Sequence, residues 1–244
     1  MDPVEEFKAE VQRNIDNLVT DDAFRELSRQ WIKESSLRHY SYNFSWMGRP
    51  IIQYPQDIMA IQEIIWAVKP DLIVETGIAH GGSLIFSASM LELLGAPGKV
   101  VGIDIDIRKH NREAIEAHPM FKRIQLIEGS STDAAVVAQV LQAAQGCQRV
   151  LVILDSNHSH AHVKREMELY AGLVTPGSYL IVLDTSIELL SPEYVVKERP
   201  WGAGNSPMTA VHEFLRGTQD FVIDRKIESK LGITVAESGY LKRV

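Results

Sequence analysis

The chain has 244 residues, of which 45% are apolar and 23% are charged, and this ordinary globular composition excludes collagen, coiled-coil and disordered classes. Its 25 basic and 32 acidic residues leave a formal charge of −7, which argues against a nucleic-acid partner because an acidic chain gains little from releasing phosphate counterions. The single cysteine, Cys147, excludes a disulfide framework and a cysteine metal cluster. Because no apolar run approaches the ~18 residues of a membrane span and residues 1–6 lack a signal-peptide pattern, we predict a cytoplasmic protein without a membrane span.

The first 49 residues are predicted to form an N-terminal helical cap. Residues 1–35 are polar and helical, and the apolar positions from Phe7 to Leu18 are spaced 4, 4 and 3 residues apart along one face. The aromatic segment 39–46 follows, and its alternating rings suit either a buried edge strand or a contact between copies of the chain. The cap is therefore a candidate surface for a homo-oligomer.

From residue 50 the pattern alternates between short apolar strands and amphipathic helices, the first of which is predicted to be capped by Asp57. Strands are predicted at 72–74, 100–103, 124–127, 150–154, 179–183, 221–224 and 239–243, and helices at 58–68, 83–94, 108–117, 132–145, 161–173 and 208–216. Buried strands joined by helices favour a Rossmann-like, doubly wound, mostly parallel seven-stranded sheet over residues 50–244. The Pro- and Gly-containing connection 188–206 is predicted to be a lid.

The turn after the first strand of this domain reads ETGIAHGGS over residues 75–83. Its glycines allow a tight turn and a close approach to a ligand, but their spacing differs from the dinucleotide fingerprint, and Glu75 would repel a pyrophosphate. A carboxylate suits a cationic group instead, such as the amino group of a methionyl moiety. Asp104 ends the second strand 22 residues after Gly82, where an acid can receive two ribose hydroxyls; Asp106 competes for that role. A purely structural turn is the alternative.

An acid, a glycine-rich turn and a second acid in this order resemble the class I S-adenosylmethionine-dependent methyltransferases. In such folds the end of the third strand, which reads EGSS here at 128–131, commonly places small residues against the adenine. Ser130 or Ser131 is therefore a candidate for a hydrogen bond to the adenine edge. The same residues equally suit a helix N-cap.

Two carboxylates, Asp155 and Asp184, follow neighbouring strands of the predicted sheet. They repel each other unless a cation lies between them or one is protonated. Oxygen donors without cysteine suit Mg²⁺, which can lower the pKa of a bound substrate hydroxyl. His158, three residues after Asp155, is then a candidate general base or a further ligand. Helix capping is the alternative role for both acids.

His160 and His162 are interpreted as surface residues. Together with His158 they have i, i+2, i+4 spacing across a loop and a helix start, which does not direct three rings to one point. For the same reason the two-histidine, one-carboxylate iron site of a hydroxylase is not predicted.

Six motifs together resemble the cephalosporin hydroxylase family, whose members are also named rhamnosyl O-methyltransferases. They lie within residues 40–244 and read NFSWMGRPIIQYPQD (43–57), ETGIAHGGS (75–83), GIDID (102–106), DSNH (155–158), RPWGAGNSP (199–207) and GYLKR (239–243). Despite the family name, the resemblance implies a methyltransferase that uses S-adenosylmethionine, often with Mg²⁺, on hydroxyls of sugars or natural products.

The resemblance also implies roles for individual residues. It implies that Asp104 binds the ribose of the cofactor and that Asp155 and Asp184 bind the metal. The other residues expected to contact the cofactor are Glu75, Gly77, Ala79, Gly81, Ser83, Ser130, Ser131 and Asp155. Leu183 departs from the family pattern, which commonly has glutamate there, so one carboxylate is lost from the metal site. In the 199–207 segment, Trp201 either stacks on a sugar or aromatic ring or anchors the loop, and Asn205 is a candidate reader of a hydroxyl.

These observations predict an S-adenosylmethionine-dependent O-methyltransferase for a sugar or secondary-metabolite hydroxyl, assisted by Mg²⁺, with His158 and Asp155 in the catalytic centre. A version without metal leaves His158 alone as the base. Two alternatives remain open. One is an NAD-dependent oxidoreductase on the same fold, and the other is a partner subunit that binds the cofactor without catalysis.

Overall fold

The computed structural model describes residues 2–95, 97–190 and 199–244. Within them, seven strands form one sheet in the order β5-β4-β3-β6-β7-β9-β8; the first five are parallel, and β9 runs antiparallel to β7 and β8. The strands are β1 (Phe44–Trp46), β2 (Arg49–Ile51), β3 (Leu72–Thr76), β4 (Lys99–Asp104), β5 (Ile124–Glu128), β6 (Val150–Leu154), β7 (Tyr179–Val182), β8 (Phe221–Ile223) and β9 (Tyr240–Arg243). The order reverses between β3 and β6, which is where open α/β sheets bind ligands.

Nine helices accompany the sheet within the described residues: α1 (Pro3–Val19), α2 (Asp22–Leu37), α3 (Pro55–Val68), α4 (Gly82–Leu93), α5 (Lys109–Glu116), α6 (Ala134–Ala143), α7 (His160–Tyr170), α8 (Pro207–Arg216) and α9 (Arg225–Leu231). The strands explain the layering, because alternate residues face opposite sides. In β6, Leu151 and Ile153 join the core beneath α3 and α4, while Val150, Val152 and Leu154 join the core beneath α6, α7 and α8. The predicted doubly wound fold is confirmed.

The N-terminal segment is helical, as predicted, and consists of two helices. Helix α1 ends at Val19, and Asp21 begins α2 by accepting a hydrogen bond from the Phe24 amide at 2.9 Å. The aromatic segment contributes β1, which pairs with β2 in a hairpin. Trp46 packs edge-on against Phe86 of α4, and its indole N–H donates to Ser89 at 3.0 Å. The division of the chain at residue 50 remains a prediction.

Asp57 does not cap α3 as expected, because the helix begins at Pro55 after Tyr54. Its carboxylate is fully buried and accepts hydrogen bonds from the Tyr240 hydroxyl at 2.7 Å, the Val235 amide at 3.1 Å and the Thr234 hydroxyl. Burial raises the pKa of Asp57 to about 6. The carboxylate therefore connects α3 to the C-terminal part of the sheet.

Residues 191–198 of the predicted lid lie outside the described residues. Glu188, before this stretch, connects to the residues after it: its carboxylate accepts hydrogen bonds from the Gly204 amide at 2.9 Å and the Ser206 hydroxyl at 2.6 Å. Ser206 in turn caps α8. Among the described residues, no helix combines the length and apolar character that crossing a membrane requires.

Candidate active site

The glycine turn after β3 is shaped by contacts that only glycine permits. Gly77 has φ +88°, and a Cβ there would lie 2.0 Å from the Asp155 carbonyl oxygen. Its amide donates to the Ile103 carbonyl at 2.8 Å. Ala79 also lies in the left-handed region, with φ +45°. The turn therefore packs directly on the ends of both neighbouring strands, with no room for a side chain at Gly77.

Asp104 holds this turn from the end of β4. One carboxylate oxygen accepts hydrogen bonds from the Ile78 amide at 2.8 Å and the Ala79 amide at 3.3 Å. The other accepts from the Asp106 amide at 3.2 Å. Asp106 itself is exposed and does not line the cavity described below. The geometry thus favours Asp104 over Asp106 as the acid facing a ligand.

Glu75 is buried beneath the turn rather than exposed in it. One of its oxygens accepts a hydrogen bond from the Ser83 hydroxyl, and the other, Oε2, has no hydrogen-bond partner among the described residues. Burial raises the pKa of Glu75 to about 7. A buried carboxylate with one unpaired oxygen is electrostatically costly, and a cationic group reaching it would remove that cost.

A cavity of about 490 Å³ opens along the carboxyl ends of the parallel strands. Nine of the predicted site residues line it: Gly77, Ala79, Ser83, Asp104, Ser130, Ser131, Asp155, His158 and Asp184. Glu75 and Gly81 do not line it. Glu75 lies under Ser83, and Gly81, which precedes α4, packs against the Ile115 side chain of α5. The cavity brings the glycine turn and the two strand-end acids to one place.

Asp155, His158 and Asp184 form a cluster in which one ligand atom from each lies within 4.8 Å of the others. They meet because β6 and β7 are parallel neighbours, and the His158 Nε2 lies 3.1 Å from an Asp184 oxygen. Burial and the charges of Asp184 and Glu75 raise the pKa of Asp155 well above its usual range. Asp184 has φ +55°, a strained backbone conformation of the kind found at functional sites.

Leu183 stands where the resemblance led us to expect a glutamate. Its side chain is buried in the core beneath α3 and α4, so residue 183 offers this cluster no carboxylate oxygen. Within the described residues, the imidazole of His158 is the third donor beside the two carboxylates.

Trp201 contacts the cluster of Asp155, His158 and Asp184 through the His158 ring. Its ring meets the His158 ring edge-on with 4.9 Å between the centroids, and the Arg199 guanidinium carbon lies over the Trp201 ring, 4.8 Å from its centroid. Beyond it, a second cavity of about 220 Å³ is lined by His158, Asp184 and Trp201 and, on one side, by the N-terminal segment. Its lining includes Ser36, His39, Ser41, Tyr42, Tyr54 and Leu190.

His160 and His162 lie outside the cluster of Asp155, His158 and Asp184, as interpreted from the sequence, but each is half-buried and makes specific contacts. His160 is bonded to Thr209 at 2.8 Å and to Glu213 at 3.0 Å, and His162 lines the large cavity. The i, i+4 spacing from His162 to Glu166 on α7 was the available signal. The Asn205 side chain, predicted to read a substrate hydroxyl, instead accepts a hydrogen bond from the His160 amide and donates one to the Pro200 carbonyl.

Sequence comparison places the chain among known proteins. The model of the family Rhamnosyl O-methyltransferase/CmcI matches residues 38–244. A rhamnosyl O-methyltransferase of Mycobacterium leprae (strain TN) is 32% identical over 219 residues, covering 87% of this chain and 90% of that protein. One of Mycobacterium tuberculosis (strain H37Rv) is 30% identical over 222 residues, covering 87% and 85%.

Structural comparison agrees on the fold. The apo structure of CmcI-N160 matches with a TM-score of 0.57 and 21% identity, covering 83% of this chain and 77% of that one. The structure of CmcI-D160 with Mg and SAM matches with a TM-score of 0.55 over the same shares. The family match and the sequence relatives favour a methyltransferase over an NAD-dependent oxidoreductase. The chain belongs to the rhamnosyl O-methyltransferase/CmcI family and is an S-adenosylmethionine-dependent O-methyltransferase.

Proposed function

We propose that this chain transfers the methyl group of S-adenosylmethionine to a hydroxyl of a sugar or secondary-metabolite acceptor, with Mg²⁺ held by Asp155 and Asp184. One observation carries the proposal: the cluster of Asp155, His158 and Asp184 opens into the same cavity as the glycine turn and Asp104. A methyl donor bound at the turn and a hydroxyl bound at the cluster would therefore meet.

The residues around the turn fit the cofactor. Asp104 would receive the ribose hydroxyls, and Ser130 and Ser131 would face the adenine. The side chain of Ile105 lines the cavity and is 74% exposed, which suits an apolar surface that a purine covers. The buried unpaired oxygen of Glu75, with Ser83 beside it, suits the methionyl ammonium group. We assign Gly77, Ala79 and Gly81 to shaping this pocket.

The two aspartates fit a hard divalent cation. Their like charges are close and partly desolvated, and a cation between them would remove the repulsion. Two carboxylates leave room for the waters that Mg²⁺ retains. When bound, such an ion supplies a positive charge that favours the ionised form of an acceptor hydroxyl.

His158 is assigned the role of general base. Its Nε2 is held by Asp184 at 3.1 Å, and its ring is fixed against Trp201. In the proposed step, His158 takes the proton of the acceptor hydroxyl as the oxygen forms its bond to the methyl carbon. The carbon–sulfur bond breaks, and sulfur keeps the electron pair as S-adenosylhomocysteine. Positioning of oxygen and methyl, with Asp155 beside them, supplies the rest of the rate.

The second cavity is the proposed entrance for the acceptor. It reaches the cluster from the side of the N-terminal segment, and its lining carries hydroxyl groups and the Trp201 ring, which together suit a sugar or an aromatic ring. The curated relatives are named rhamnosyl O-methyltransferases, which supports a glycosylated acceptor here.

Calorimetric titration with S-adenosylhomocysteine, with and without Mg²⁺, tests the cofactor site. We expect micromolar binding to the full chain, lost in Asp104→Ala and retained in the control Asp106→Ala, and an additional heat with Mg²⁺. Absence of binding in both conditions would overturn the proposal. Transfer of a labelled methyl group to a pool of glycosylated acceptors then separates an enzyme from a non-catalytic subunit, which would bind but transfer nothing.

Self-association and a cytoplasmic location stay predictions. Self-association is supported by α1, whose apolar stripe is partly uncovered, with Phe7 64% exposed. Sedimentation velocity on the full chain and on Phe7→Ser tests it. We expect a dimer or larger species that dissociates in the variant, and a monomer at all concentrations would contradict it.

A further inference from the structure

A polar network lies at one end of the large cavity and, apart from Ser131, has no role in the proposed function. It joins two hydroxyls that line the cavity, Ser131 and Ser156, to His162 and Glu166 of α7. Glu166 is fully buried, and its Oε2 has no hydrogen-bond partner among the described residues. Keeping an ionisable group here is costly, so the network calls for a functional explanation.

The hydrogen bonds determine what the Ser156 hydroxyl can offer. It donates its only proton to Glu166 Oε1 at 2.7 Å. The His162 Nε2 lies 3.2 Å from the same hydroxyl, and because that proton is already committed, the imidazole must be the donor. Ser156 therefore has one free lone pair and no free proton.

The Ser131 hydroxyl, in contrast, keeps a free proton. The same His162 Nε2 lies 3.1 Å from the Ser131 hydroxyl, so Ser131 accepts from the shared N–H and keeps its own proton. The Tyr170 hydroxyl, which donates to the Ser131 carbonyl at 2.5 Å, fixes the backbone at this point. The cavity thus meets an acceptor at Ser156 and a hydroxyl at Ser131 that still has a proton to donate.

We infer that Ser156 recognises the exocyclic amine of the cofactor's adenine, and that Glu166, with His162, is the positioning residue that makes Ser156 an acceptor only. An amine donates to the free lone pair of Ser156. A base with a carbonyl oxygen at this position, as in inosine, places an acceptor against an acceptor and is rejected. The inference rests on the proposed cofactor site and adds the reason for its base selectivity.

The test compares S-adenosylhomocysteine with S-inosylhomocysteine by calorimetry. For the wild type, we expect the inosine compound to bind at least about tenfold more weakly, because it leaves Ser156 without a donor. In Glu166→Leu the Ser156 proton is released and can be donated to the carbonyl oxygen. The preference should then fall to about twofold or less, with the inosine compound binding more tightly than it does to the wild type.

Two further variants keep the test decisive. Ser156→Ala removes the acceptor and should also abolish the preference, which covers the case in which Glu166→Leu fails to fold. Glu168→Leu, an exposed position on the same helix, should keep the wild-type preference. A preference that survives in Ser156→Ala would overturn the inference, as would equal binding of both compounds to the wild type. Failure of the wild type to bind S-adenosylhomocysteine would overturn the proposed cofactor site itself.

Discussion

The two ends of the large cavity are built in different ways. At the cofactor end, main-chain contacts fix the shape: Gly77 packs on the Asp155 carbonyl, and Asp104 accepts from two amides of the turn. At the metal end, side chains from the ends of two strands bring like charges together. The first end is therefore already formed and intolerant of added atoms. The second end is electrostatically unfavourable until a cation binds.

The largest effect is expected at Gly77. Gly77→Ala would place a Cβ 2.0 Å from a backbone oxygen, so we expect a loss of more than about 3 kcal/mol in the free energy of unfolding, or no folded protein. Gly146→Ala is the matched control, because Gly146 has φ +81° but no atom within 4 Å of an added Cβ; it should lose only about 1–2 kcal/mol. Urea unfolding measures both. Equal losses would show that backbone strain, not packing, governs the turn.

At the metal end, Asp155→Asn and Asp184→Asn are expected to separate binding from stability. Each removes a proposed ligand, so Mn²⁺ affinity followed by electron paramagnetic resonance should fall at least about 100-fold, more than the loss of an outer-sphere partner costs. Asp155→Asn should also stabilise the metal-free protein at pH 8, because folding raises the pKa of the Asp155 carboxyl group and its ionised form therefore destabilises the folded state. Asp106→Asn is the reference and should keep the wild-type Mn²⁺ affinity. An unchanged Mn²⁺ affinity in both aspartate variants would contradict the proposed metal site.

Glu75→Gln tests the buried carboxylate of the cofactor end. The pKa of Glu75 rises from 4.5 to about 7 on folding, so ionisation is less favourable in the folded state. The ligand-free wild type should therefore lose stability as pH rises from about 4.5 to about 7, and Glu75 accounts for up to about 3 kcal/mol of that loss. Urea unfolding across this range should show a smaller decline for Glu75→Gln.

The same variant should bind S-adenosylhomocysteine more weakly, because the amide no longer offers a negative charge to the ammonium group. Glu113→Gln, on the exposed face of α5, is the control and should change neither property. Parallel stability profiles for Glu75→Gln and the wild type would show that Glu75 does not carry this pH dependence.

The smallest effect is expected at Trp201. Trp201→Ala removes the edge-on contact with His158 and a wall of the second cavity, so kcat/KM for an acceptor found in the labelled-methyl screen should fall about three- to tenfold. Affinity for S-adenosylhomocysteine should stay the same. Trp66→Ala, at an exposed position on α3, should leave both unchanged. If the variant lost only affinity for S-adenosylhomocysteine, the proposed contact of Trp201 with the acceptor would be contradicted.

The parts predicted correctly from the sequence are those that local pattern determines. The strand β6 is a run of five apolar residues and was placed at its exact bounds, because a strand buried on both faces has no other composition. Asp104 and Asp155 were singled out because they come at the ends of such strands; both line the large cavity, and their roles stay predictions. The family relationship was predicted from motifs and is confirmed by the comparisons.

The features that the sequence pattern did not indicate have different causes. Asp57 looks like a helix cap in sequence, but its partners Thr234, Val235 and Tyr240 lie far along the chain, and no local pattern reveals them. His162 was assigned to the surface because its spacing from His158 was considered without Glu166. The short hairpin of β1 and β2 and the helix α9 have too few residues for periodicity to indicate them.

The central claim is that one cavity holds both the methyl donor and a cation between Asp155 and Asp184. Anomalous diffraction from crystals of the full chain grown with S-adenosylhomocysteine and Mn²⁺ tests it most directly. The account predicts a manganese peak bonded to both aspartates, with S-adenosylhomocysteine density running from the cluster to the glycine turn. S-adenosylhomocysteine bound at the turn without a manganese peak at the aspartates would contradict it.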